Sequence, residues 1–127
     1  MSSGKWKRDT QQQHEKACTG NGAGYVYALV EITDKASFEQ ITRNEDPDFL
    51  KNTEIAYIGE TSNPWQRFGT HRKQKSRKIG MVIIDETDSD FPVPEIQMKE
   101  NEAMFNYALA HGKLPKWNKG GTTFAGA

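Results

Sequence analysis

The sequence predicts a small α/β (α+β) domain, a three-stranded, mostly antiparallel sheet flanked by helices. Three observations lead there. Runs rich in β-branched and aromatic residues occur at 24–32, 54–59 and 79–85, each bounded by turn formers. Two longer segments, after Asn63 and after Pro94, carry helix start and stop signals. The order is then strand, insertion, strand, helix, strand, helix, with short connections that suit antiparallel neighbours.

Composition bounds the possibilities. A chain of 127 residues buries one modest core and reads as one domain. Seventeen Lys and Arg balance seventeen Asp and Glu, so net charge says nothing about a nucleic-acid partner. Distribution says more: Arg67 to Lys78 holds six bases and no acid, whereas Glu31 to Glu54 holds seven acids against three bases. Such segregation is what an anion-binding face on a neutral protein looks like; a solvated helix face is the plainer explanation for a charge run by itself. Cys18 is the only cysteine, which excludes an intramolecular disulfide and a cysteine-rich zinc site. The stretch Met1 to Lys16 lacks the apolar core of a signal peptide, and no apolar run has the length of a membrane span. The expectation is a soluble, cytoplasmic protein with no membrane partner.

Residues 1–22 read as a flexible leader ending in the Gly20-Asn21-Gly22 turn signal, and 23–119 as the domain. Gly24 to Ile32 is the first strand. Residues 34–52 are polar and mildly helical, broken by Asp46-Pro47-Asp48, and read as an insertion. Glu54 to Gly59 is the second strand, turning at Gly59. Asn63 can cap the helix that follows, and Pro64 suits its first position, where the missing N–H costs nothing.

On that helix Arg67 and His71 are four residues apart and share a face, which Lys75 and Lys78 continue, while Trp65 and Phe68 point inward. A tyrosine at a strand end, with an arginine and a histidine projecting together, looks like a phosphate site. Gly69 inside the helix costs about 1 kcal/mol relative to alanine and suggests either a close backbone approach or a bend.

Ile79 to Asp85 is the third strand and 86–91 an acidic loop. Pro92-Val93-Pro94 leads into the second long helix, about Glu95 to His111, with Gly112 as its stop and Pro115 beyond. Lys113 to Lys119 is expected to be extended and 120–127 a flexible tail. Along the second helix Met98, Glu102, Phe105 and Leu109 form one stripe at helical spacing. Glu102 therefore sits in an apolar stripe, where an unpaired carboxylate is expensive. A metal ion, an arginine, a cleft, or simple access to water at the stripe edge would each resolve this. Glu100 lies on the other side and reads as surface, as do His14 and His111, which show no ligand spacing. Asn118, beside Trp117, is an isolated amide next to a large aromatic.

These residues resemble the GIY-YIG nuclease family over roughly Gly24 to Asn118. Tyr25-Val26-Tyr27, following Gly24, is similar to the first signature, and Tyr57-Ile58-Gly59 matches the second. Arg67 and, one turn on, His71 match the family's first-helix pair, Glu102 its later glutamate, and Asn118 its closing asparagine. Pro115-Lys116-Trp117-Asn118 is most similar to the restriction-endonuclease branch.

The resemblance implies a metal-dependent DNA endonuclease of restriction, phage or mobile-element type. Glu102 would hold one Mg²⁺ (or Mn²⁺) per active site. Glu100 is the alternative, because the interval from Glu102 to Asn118 is long beside restriction-type members. Arg67 would neutralise the phosphate, and Tyr27 and Tyr57 would flank the attacking water. Either Tyr27 or His71 would be the general base, and Asn118 would tie the site wall together. Lys73, Lys75, Arg77 and Lys78 would hold flanking phosphates.

The family joins its signature strands by a short hairpin, so 34–52 has a role the resemblance leaves open: specificity, dimerisation or regulation. DNA is the implied partner, with RNA left open. Cutting both strands with one site per chain favours a homo-oligomer or two sequential events. The rival expectations are a non-cleaving nucleic-acid-binding module on the same scaffold and, less favoured by the acid-free basic run, a protein-interaction domain.

Overall fold

The first strand in the chain becomes an interior strand of the sheet. The computed structural model describes residues 22–75, 77–88 and 93–118. Its elements are β1 (Gly22–Glu31), β2 (Ile41–Arg43), α1 (Phe49–Asn52), β3 (Tyr57–Thr61), α2 (Pro64–Gln74), β4 (Ile79–Asp88) and α3 (Val93–His111). The strands are ordered β2-β4-β1-β3. β1 pairs antiparallel with both β3 and β4, and β2 pairs parallel with β4. The architecture is therefore α+β with a four-stranded mixed sheet, not the three-stranded antiparallel one expected.

The extra strand lies inside the 34–52 segment. Ile41 is fully buried opposite Met81, and the short Ile41-Thr42-Arg43 run is hidden in the sequence by its polar neighbours. Arg43 pairs with Glu86 across the strands. Only α1, a single helical turn, realises the helical character expected there; its Phe49 and Leu50 pack on the core beneath α3. Nor does the second strand turn at Gly59, since β3 runs on to Thr61. Asn63 and Pro64 begin α2 as expected, with the Asn63 side chain accepting a hydrogen bond from the Gln66 N–H. Gly112, at φ +79°, ends α3 in the left-handed conformation that glycine adopts without strain. Residues 1–21 of the expected leader, residues 89–91 of the acidic loop and the tail lie outside the described residues, and Gly22, expected to end the leader, already opens β1.

Alternation along β1 builds two cores. Tyr25, Tyr27 and Leu29 face α2 and join Phe68, Ile79, Met81 and Ile83. Val26 and Ala28 face α3 and join Ile58, Ala103, Met104 and Tyr107. The stripe of α3 that faces the sheet is therefore Ile96, Ala103, Met104 and Tyr107, at offsets zero, seven, eight and eleven. This corrects the expected stripe: Met98, Phe105 and Leu109 are 66, 46 and 69% exposed. The helix carries two apolar stripes, and the sheet takes the one whose Ala103 permits close approach. At the contact with β1 a Cβ on Gly24 would lie 2.5 Å from Ile96 Cδ1. His111, expected at the surface, is half-buried, stacks on Tyr107 at 4.0 Å and lies with Nε2 2.8 Å from the Leu50 carbonyl of α1. Among the described residues, no helix is long and apolar enough to cross a membrane.

Candidate active site at the β3 edge

β3 is an edge strand, and the candidate residues gather where its edge meets α2 and the first half of α3. Tyr27 stands opposite Gly59 in the β1–β3 ladder, so both signature motifs meet in one rung. Beside it the β1–β4 register slips: Val26 faces Asp85 and Tyr27 faces Ile83, leaving Ile84 as an extra residue. A bulge of this kind bends the strand and redirects its side chains.

Gly59 leaves the space that the tyrosines fill. A Cβ there would come within 2.7 Å of the Tyr27 hydroxyl and 2.7 Å of Tyr57 Cε2. Gly69 differs, because a Cβ there meets nothing within 4 Å; neither neighbour nor close approach explains that glycine.

Three rings pack together. Centroids of Tyr27 and Tyr57 are 6.1 Å apart, those of Tyr27 and His71 5.7 Å, and those of Tyr57 and His71 5.3 Å. The Tyr27 hydroxyl and His71 Nε2 form a buried hydrogen bond of 2.8 Å. His71 is only 7% exposed, and its Nδ1 has no hydrogen-bond partner among the described residues. Burial, with the positive charges of Lys75 and Arg67 adding to it, lowers the His71 pKa to about 4, so the ring is neutral near pH 7. Burial first and then the Tyr57 phenol raise the Tyr27 pKa, while Arg67 opposes the rise by charge and hydrogen bonding. Tyr57 is raised in the same sense, by burial and then Glu100. Arg67 is exposed and forms no ion pair among the described residues, so it is not a surface partner locked to Glu60.

The half-buried carboxylate on the sheet side of α3 is Glu100 rather than the expected Glu102. Two positions turn a helix by about 200°, and Glu100 lies in the sheet-facing stripe between Ile96 and Ala103. Desolvation, reinforced by the negative charge of Glu60, raises its pKa to about 7. Glu60 is itself raised, by burial, with Arg67 acting the other way. Glu102 is exposed and lines a separate cavity of about 270 Å³ with Asn44, Asp46, Asp85, Lys99 and Asn106. The stripe expected to hold Glu102 is exposed, and the buried one, two positions out of phase with it, holds Glu100. Glu60 was missed altogether, although it follows Tyr57-Ile58-Gly59 directly.

Asn118 closes the edge. Its Oδ1 accepts from the Ile58 N–H at 2.9 Å and its Nδ2 donates to the Ile58 carbonyl at 3.0 Å, as a neighbouring strand would. The Trp117 N–H donates to the Ala56 carbonyl at 2.8 Å. The basic run is dispersed. Lys73 is exposed, Lys75 lies over the Trp117 ring at 4.8 Å, Arg77 pairs with Glu31 at 3.5 Å, and Lys78 donates to the Ser37 carbonyl at 2.9 Å. The structure thus brings together Tyr27, Tyr57, Arg67 and His71, with Asn118 bracing their strand; it separates Glu102 from them and divides the lysines among other partners. Comparison with protein-family models, with curated proteins and with solved structures gave no match.

Proposed function

We propose that the domain is a metal-dependent endonuclease of the GIY-YIG type that hydrolyses phosphodiester bonds in DNA. The observation that carries this reading is the gathering of Tyr27, Tyr57, Arg67, His71 and Glu100 around the β3 edge. Phosphodiester hydrolysis needs an activated water, neutralisation of the phosphate and stabilisation of the departing oxygen. Glu100, a half-buried carboxylate with no ion-pair partner among the described residues, fits a single divalent cation such as Mg²⁺ or Mn²⁺. When bound, that cation supplies Lewis acidity at the leaving oxygen. Arg67 presents its planar donors to the phosphate.

The hydrogen bond between Tyr27 and His71 supports a joint base. With its pKa raised, Tyr27 is not a free phenolate near neutral pH. Its oxygen takes the proton of the attacking water as its own proton passes to the neutral Nε2 of His71. Tyr57 holds the other side of the water. Asn118 keeps β3, and with it Tyr57, in place. Lys73, exposed at the end of α2, serves flanking phosphates.

The test is cleavage of supercoiled plasmid with Mg²⁺, Mn²⁺ or EDTA by the wild type, Arg67→Ala, Glu100→Ala and Glu102→Ala. Metal-dependent nicking or linearisation lost in the first two variants and kept in the third is the expected result. Salt-dependent DNA binding without cleavage under any metal would instead favour a non-cleaving binding module.

A further inference from the structure

The register of β3 fixes which of its backbone groups face out of the sheet. In an antiparallel ladder, successive residues alternate between bonding the partner strand and pointing away from it. Ile58 points away, because both its N–H and its carbonyl are held by the Asn118 amide. The pairing of β1 with β3 is uninterrupted from Tyr25↔Thr61 to Leu29↔Tyr57. Glu60 therefore points away as well, about 7 Å further along the edge. The outward group on the other side of Ile58, the Ala56 carbonyl, takes the Trp117 N–H. Among the described residues, then, the C-terminal clamp fills the edge at Ala56 and Ile58 and leaves the Glu60 N–H open.

The surroundings of that N–H select an anion. The Glu60 side chain, perpendicular to the sheet, lies on the α3 side with Ile58, so it does not cover its own amide. Arg67, exposed on α2 one turn before His71, whose ring packs 5.3 Å from that of Tyr57 on the same strand, is the cation on the α2 side of this border, and its charge acts on Glu60, Tyr27 and Tyr57 alike. A backbone N–H in a paired strand is rigid and needs no reorganisation, and its hydrogen bond to a charged oxygen is stronger than to a neutral one.

We propose that the backbone N–H of Glu60, with the Arg67 guanidinium, holds a nonbridging oxygen of the scissile phosphate at the open end of the β3 edge. This rests on the phosphodiesterase reading above.

Proline at position 60 removes this donor alone from the backbone, and an outward-facing edge position is where a strand accepts proline. Single-turnover cleavage of a duplex oligonucleotide with Mg²⁺ is compared for the wild type, Glu60→Ala and Glu60→Pro, with folding checked by circular dichroism. Glu60→Ala removes the carboxylate and keeps the N–H, so it is the reference. Expected is a further loss of about 100-fold in Glu60→Pro, the effect of deleting one preorganised donor. Equal rates for the two variants, in a wild type that cuts, would overturn the donor assignment and leave the nuclease reading intact. A wild type that neither cuts nor binds nucleic acid overturns both.

If Glu60→Pro does not fold, the decision passes to the ¹⁵N-labelled wild type, with the duplex held uncleaved in Ca²⁺. A downfield shift and slowed exchange of the Glu60 amide support the proposal. An unchanged Glu60 amide beside perturbed Arg67 signals overturns it.

Discussion

The Tyr27 hydroxyl lies 2.8 Å from His71 Nε2, and this buried hydrogen bond couples the protons of two residues far apart in sequence. A neutral imidazole there either accepts the phenol proton or donates to its oxygen, and the first tautomer is the one that can assist a base. Its protonation is opposed by burial and by the charges of Lys75 and Arg67.

The ring resonances of His71 should therefore stay flat from pH 8 to about 5 and titrate near 4. The sign for stability follows. The unfolded chain takes up this proton below about 6.5, whereas the folded one resists until about 4. Stability is lost as pH falls through that window. NMR titration of the full chain checks the first statement, and urea unfolding of wild type against His71→Gln between pH 7 and 4.5 checks the second. A ring titrating near 6.5 would mean that Tyr27 and His71 are open to solvent.

Glu100 works in the opposite direction. Its folded pKa of about 7 lies above the ordinary carboxylate value, so stability falls as pH rises from about 4.5 through 7. Glu100→Gln should unfold a few degrees higher than the wild type at pH 8, the shift that about 1 kcal/mol produces in a domain of this size. The two should coincide at pH 4. Divalent cation should raise the wild-type midpoint at pH 8 and leave the variant unmoved.

Two glycines should respond oppositely to alanine. Gly59→Ala drives a methyl group against the Tyr27 hydroxyl and the Tyr57 ring, and should destabilise by about 1–3 kcal/mol while displacing both tyrosines. Gly69→Ala enters open space within α2 and should stabilise by about 0.5–1 kcal/mol. Urea unfolding of the two variants reads both.

Asn118→Ala removes both bonds to Ile58 and should cost about 1–2 kcal/mol, with faster hydrogen exchange at the Ile58 amide. Asn118→Asp is the sharper probe. It keeps the acceptor for the Ile58 N–H but sets a carboxylate oxygen against the Ile58 carbonyl, so it should be no more stable than the alanine variant.

Much of the site was legible in the sequence because it depends on local chemistry. Asn63-Pro64 started α2 where expected, which set Arg67 and His71 one turn apart, and the strand bearing Tyr57 was plain from composition. What failed depends on tertiary choice. Periodicity cannot say which of two apolar stripes on α3 the sheet will take, so Glu102 was placed in the buried stripe where Glu100 stands. Ile96, Glu100, Ala103, Met104 and Tyr107 also stand at helical spacing in the sequence. β2 escaped notice because a three-residue strand between polar segments has no period to read. The outward direction of the Glu60 N–H escaped because only the strand register reveals it.

The Asn118 clamp also bears on how the molecule behaves in a crowd. A bare sheet border is a template on which another chain can lay down a strand. Here the β3 border is occupied at Ala56 and Ile58 by the chain's own Trp117 and Asn118, and the opposite border, β2, is too short to recruit much. A cut before Pro115 would expose an apolar stretch around Ile58 as an adhesive seam. Such a truncated product would be lost to aggregation first, whatever became of its chemistry.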